Sequence, residues 1–155
     1  MLNPYLPIGL VTTSTLIAEE ANRVGEAAFD VRPDPDRFSF REVIAHLADW
    51  EPIMLGRIKA AVEAPGSTVQ PYDEWQWAID HDYASQDPRE KLEDFRKARA
   101  ETTDYVTKIP REKMANTVIH PERGTLTAAD IAHTLVCHDL YHIVQLRSMT
   151  GGESA

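Results

Sequence analysis

Among the six histidines of this chain, His138 and His142 stand four apart in a stretch that otherwise reads as helix. Residues four apart lie one turn above each other on the same helix face, so their imidazoles can share one ligand, most often a divalent metal. The row that contains them, Ile131, Leu135, His138, His142, Gln145 and Met149, repeats with spacings of four, three, four, three and four. That is the pattern of a seam turned toward a core. His46, three after Val43 and four before Trp50, falls on the inward row of a second helical stretch. Imidazoles on core faces need their ring nitrogens satisfied, and a shared metal does so for all three at once. The alternative is that each bonds a backbone carbonyl or polar side chain on its own.

Three neutral imidazoles leave a tetrahedral ion one position short, the arrangement of a catalytic rather than a structural site. Such a position suits either water activated for hydrolysis or a thiol held as its thiolate. A hydrolase needs a carboxylate within reach as general base, and Asp49 and Glu51 are the nearest in sequence, each expected as a solvated or helix-pairing charge. His133 lies five before His138 and points away from the seam. His81 and His120 fall in connections, where solvated roles are expected. Cys137 is the sole cysteine, so no intrachain disulfide forms. It reads as a small buried apolar residue, with a reactive thiol beside the histidines as the alternative.

Four helices must position these side chains. The first is expected from about Pro7 to Phe29, with Leu10, Ile17, Ala21, Val24 and Ala28 at helical spacing and Gly25 as a weak point. The second begins near Ser39 and carries Val43, Ile44, Leu47, Trp50, Met54, Ile58 and Ala61, with Pro52 and Gly56 inside it and a bend expected near Glu51. The third follows the cap Asp87-Pro88 and steps through Leu92, Phe95, Arg99, Thr102 and Val106 to Ile109. The fourth opens on Thr127 and Asp130, a capping box with Asp in place of Glu, and is expected to end at Gly151-Gly152. No strand alternation stands out. Residues 64–87 form a long connection in which Tyr72 to Ile79 suits a short helix, and its length lets helices two and three run parallel or antiparallel. The expected fold is thus a single all-α domain over residues 1–155, a four-helix bundle.

At 155 residues, 43% hydrophobic and 26% charged, the chain has an ordinary soluble composition. A net charge of −9 argues against nucleic acid as partner. No apolar run approaches the roughly 18 residues of a membrane span, and the N-terminus lacks a basic region followed by an apolar run, so the cytoplasm is the expected location.

The segments Ile44-Ala45-His46-Leu47-Ala48-Asp49-Trp50 and His138-Asp139-Leu140-Tyr141-His142-Ile143-Val144-Gln145-Leu146 resemble, in order and separation, the DinB-like family of bacterial proteins, the DinB/YfiT superfamily. The resemblance covers essentially the whole chain. It implies an up-down-down-up bundle with a crossover between helices two and three and a homodimer. It also implies zinc, nickel or a similar divalent ion on His46, His138 and His142. Tyr141 replaces a histidine common in relatives, and Val144 a frequent glycine; neither change removes a ligand. The family contains low-molecular-weight thiol S-transferases and a thiol-dependent isomerase, so thiol transfer with a small-molecule substrate is the first expectation. A metal-dependent hydrolase comes second. The third is a non-catalytic stress or ligand-binding dimer, whose cavity Trp75, Trp77 and Tyr83 would line unless they are plain core.

Overall fold

The computed structural model describes residues 3–150. Five helices, α1 (Leu6–Asn22), α2 (Phe40–Glu63), α3 (Glu74–Asp80), α4 (Pro88–Lys108) and α5 (Ala128–Met149), are joined by a two-stranded ribbon of β1 (Thr117–His120) and β2 (Gly124–Thr127). The four long helices form the bundle, and α3 is the short helix expected in the long connection. Between α2 and α4 the pairs Asp49–Lys91, Lys59–Glu101 and Glu63–Tyr105 ascend together, so these helices run in the same direction. The same holds for α1 and α5, linked by Thr13–Asp139 and Glu20–Arg147.

Local chemistry sets most boundaries. Ser39 and Glu42 close a capping box at the start of α2, with the Ser39 amide donating to Glu42 Oε2 at 2.6 Å. Asp87 accepts from the Arg89 amide, and Pro88 occupies the first turn of α4. Thr127 and Asp130 make the expected box at α5, at 2.9 and 3.0 Å. Pro52 lies inside α2, which continues through it because the burial of Trp50, Met54 and Ile58 on one side outweighs one missing amide donor.

Two expectations need correction. The first helix ends at Asn22 rather than Phe29: Gly25 turns extended and a short 3-10 turn, Glu26–Ala28, follows. The glycine costs helix propensity where no tight packing repays it. The ribbon was not expected. Its strands have four residues each, too short to display alternation, and Gly124 at φ 75° makes the turn between them. Part of the long connection also pairs with it, through Val69 N to Ile119 O and Ile119 N to Ser67 O, both at 2.9 Å. The expected stop at Gly151-Gly152 lies outside the described residues; α5 ends at Met149.

The apolar core falls into two groups, one around Leu10, Trp50, Met54, Val106 and Leu135, the other around Ile17, Leu47, Phe95, Ile143 and Leu146. On every long helix a polar residue sits between them: Thr13, Glu51, Arg99 and Asp139. Arg99, 2% exposed, grips Glu51 with two bonds of 2.7 and 2.8 Å and Asp139 with two of 2.6 and 3.0 Å. Its Nη1 also donates to Leu10 O at 3.0 Å, and the Thr13 hydroxyl donates to Asp139. Burial alone would lower the pKa of Arg99, but these hydrogen bonds and charges override it and raise it. This polar layer ties all four helices at mid-height, directly beside His138.

Candidate metal centre

α2 brings His46 and α5 brings His138 and His142 to one point. His138 Nε2 lies 3.0 Å from His46 Nε2 and 3.1 Å from His142 Nε2. One ligating nitrogen from each of the three lies within 4.8 Å of the others. His142 Nδ1 donates to Gln145 Oε1 at 2.9 Å, which fixes the proton on Nδ1 and leaves the Nε2 lone pair turned inward. A proton on His138 Nε2 can serve only one of its two neighbours, so at least one inward lone pair is left over. Converging lone pairs fit a cation.

Electrostatics point the same way. Burial first, then the neighbouring imidazoles, hold His46 well below the usual histidine range. Burial, His142 and Arg99 push His138 down to about 3, and burial takes His142 down to about 4, against a partial offset from Gln145. Neutral imidazoles are the ligating form, so little proton competition opposes a metal near pH 7. Phe38 and Trp50 wall His46, each with ring centres 5.4 Å away, and keep water from that side.

A cavity of about 150 Å³ opens on His138 and His142, between Gln145, Tyr141, Arg37, Phe38, Trp75 and Glu74. Glu74, the first residue of α3, has its carboxyl pKa raised by burial, partly countered by Arg123. It is the carboxylate-bearing residue that lines this cavity, and sequence proximity missed it because it lies in the long connection. The two sequence-near candidates are committed elsewhere, Glu51 to Arg99 and Asp49 to Lys91 at 3.2 Å and the Trp77 indole at 3.3 Å. A larger cavity of about 900 Å³ lies between α1 and α4 and reaches none of the three histidines.

The other candidates separate clearly. His133 donates to Ala129 O and His81 stacks on Trp77, both away from the cluster. His120 is not solvated as expected: it closes β1 at 4% exposure, where Nδ1 accepts from the Glu122 amide. Cys137 is exposed, not buried, because it falls on the outer face of α5 beside Leu140 and Val144. It is therefore outside the histidine group. Trp75 lines the cavity against Phe38, whereas Tyr83 is core at 1% exposure and Trp77 packs at the core edge. The seam itself is rotated slightly from the expected row. Asp139, His142 and Leu146 are buried, while His138 and Gln145 are half-buried at its edge.

The family model of the DinB superfamily matches residues 10–146. The chain belongs to the DinB superfamily. A protein of Oceanobacillus iheyensis, provisionally named a metal-dependent hydrolase, is 26% identical over 113 residues, covering 72% of this chain and 64% of the relative. The matched region thus spans less than two thirds of that relative. Among solved structures, YfiT from Bacillus subtilis, described as a probable metal-dependent hydrolase with an unusual four-helix bundle topology, superposes with a TM-score of 0.86. That match is at 19% identity and covers 94% of this chain and 86% of YfiT. The mycothiol-dependent maleylpyruvate isomerase follows at a TM-score of 0.75 and 12% identity, over 91% of this chain and 59% of the isomerase. At these identities the structural likeness establishes the fold. Among the described residues no helix of this DinB chain is long and apolar enough to cross a membrane.

Proposed function

We propose that this DinB chain is a metal-dependent hydrolase acting on a small molecule, with a divalent ion, zinc or nickel, on His46, His138 and His142. The observation that carries the reading is Glu74, a carboxylate on the wall of the same cavity as His138 and His142. An ion held by the three imidazoles supplies Lewis-acid activation of water near neutral pH. Glu74 accepts the proton of the attacking water as its oxygen bonds to the substrate's electrophilic carbon, then returns that proton to the departing heteroatom. Its burial-raised pKa suits both halves of this transfer. Gln145 holds His142 in the ligating tautomer, and Trp75 and Phe38 limit the water that reaches the cavity.

Thiol activation is the second reading, supported by the shared fold with the mycothiol-dependent isomerase. A homodimer in the cytoplasm completes the proposal. Ile8, Leu140 and Val144 are each at least half exposed on the neighbouring helices α1 and α5, which supports an apolar contact between two copies.

The test is metal analysis followed by turnover. Wild type should carry one ion per chain and His142→Ala far less; equal metal content in both refutes the site. Glu74→Gln should keep its metal and lose about 10²- to 10⁴-fold in rate on an ester and amide panel. Unchanged turnover removes Glu74 as the base. Turnover that appears only when a low-molecular-weight thiol is added selects the second reading.

A further inference from the structure

Arg37, in the connection between α1 and α2, is itself a wall of the histidine cavity. It is held there rather than free to wander. Arg32 donates to the Arg37 carbonyl at 2.7 Å while its other arm pairs with Glu42 at 2.6 Å. Arg37 Nη1 in turn donates to the Tyr141 hydroxyl, and its guanidinium carbon lies 6.0 Å from the Tyr141 ring centre. The neighbouring arginines are engaged by carboxylates at close range, Arg32 by Glu42, Arg41 by Asp30 and Arg89 by Glu26. For Arg37 the described residues offer only Asp34 at 3.9 Å, with both side chains more than half exposed. An ion pair so long and so wet is worth little. Most of the fork of N–H donors on Arg37 is therefore available at the mouth of the cavity.

The opposite charge on the same wall gives the cavity a polarity. Glu74 repels an anionic group from its side, so such a group is driven to Arg37 and Tyr141. The volume of about 150 Å³ admits only a few heavy atoms beyond that group. We infer that Arg37, oriented by Tyr141, is the specificity element of the site and selects small substrates with an anionic oxygen group, a carboxylate or a phosphate, placed away from the reacting bond. Only the identity of the reacting bond rests on the hydrolytic reading; anion recognition belongs to Arg37.

Trp75 lines the same cavity, so its emission reports occupancy with or without metal. Succinate, inorganic phosphate and neutral succinamide are titrated at constant ionic strength into chelator-stripped and metal-loaded wild type, R37Q, Y141F and a W75F control. Saturable binding of succinate or phosphate, absent for succinamide, is expected in wild type, and the anion that saturates names the group. R37Q should weaken that binding at least about tenfold and Y141F about threefold, since one charge-assisted hydrogen bond is worth about a factor of ten. The W75F control should lose the signal. R37Q within twofold of wild type, or succinamide binding as well as both anions, overturns the inference. Arg37 is exposed, so its replacement leaves the fold intact. Failure of the metal reading shows separately, as no metal uptake with anion binding in stripped protein unchanged.

Discussion

Replacing Arg99 with methionine isolates what the polar layer contributes. The guanidinium makes four bonds to Glu51 and Asp139, whose residues are 1% and 0% exposed. Without it two carboxylates remain buried beside each other with no cation. Breaking a buried pair by removing one partner costs about 3–5 kcal/mol, a large part of the roughly 5–15 kcal/mol that holds a domain folded. With a urea slope near 2 kcal/mol per molar, the midpoint of Arg99→Met should fall by about 2 M. Burial favours the uncharged form of a carboxyl that has lost its partner. The loss relative to wild type should therefore be smaller at pH 5 than at pH 8, since the histidine titration is common to both proteins and cancels in the comparison. Adding Glu51→Gln and Asp139→Asn removes the stranded charges and should recover much of the loss. The assay is urea unfolding followed by circular dichroism at both pH values. A loss below about 1 kcal/mol, or one that does not change with pH, would refute the claim that this layer ties the helices together.

Gln145→Ala frees His142 to take the wrong tautomer and should weaken metal binding about 10- to 100-fold, read by competition with a chelator; unchanged affinity would mean that the 2.9 Å bond does not orient the ring. The metal-stripped chain should lose stability on acidification, because His138 and His142 titrate near 6.5 when unfolded but at about 3 and about 4 when folded. Between those values the unfolded state binds more protons, so stability is full above about pH 6.5 and declines below it, by up to about 1.4 kcal/mol per pH unit for each ring. A urea midpoint equal at pH 7 and pH 5 would contradict that sign. Thr127→Ala opens the capping box at α5 and should cost about 1 kcal/mol in thermal or urea unfolding, with metal content unchanged since the box lies at the far end of α5 from His142.

The cluster of His46, His138 and His142 was legible in the sequence because helix periodicity is local. A spacing of four puts His138 and His142 on one face whatever surrounds them, and apolar neighbours at three and four put His46 on an inward row. The caps at Asp87 and Thr127 were legible for the same reason, since each acts within one turn. Arg99 stood on an apolar row, a visible sign of a buried charge, but its partners did not show: Glu51 and Asp139 come from helices 48 and 40 residues away. Asp139 was further hidden between two histidines that claimed the seam. The strands were too short for alternation to show, and Cys137 could be placed only once the direction of the α5 core face was fixed by packing. Glu74 and Arg37 lie outside the long helices, where no period constrains a side chain. What brings them to the cavity is the path of the long connection over the ribbon and the grip of Arg32 on its loop. Sequence alone thus determined which nitrogens share a face, a property of 3.6 residues per turn. Tertiary structure decided which carboxylate and which cation stand before them, because those contacts depend on how distant segments close over the bundle.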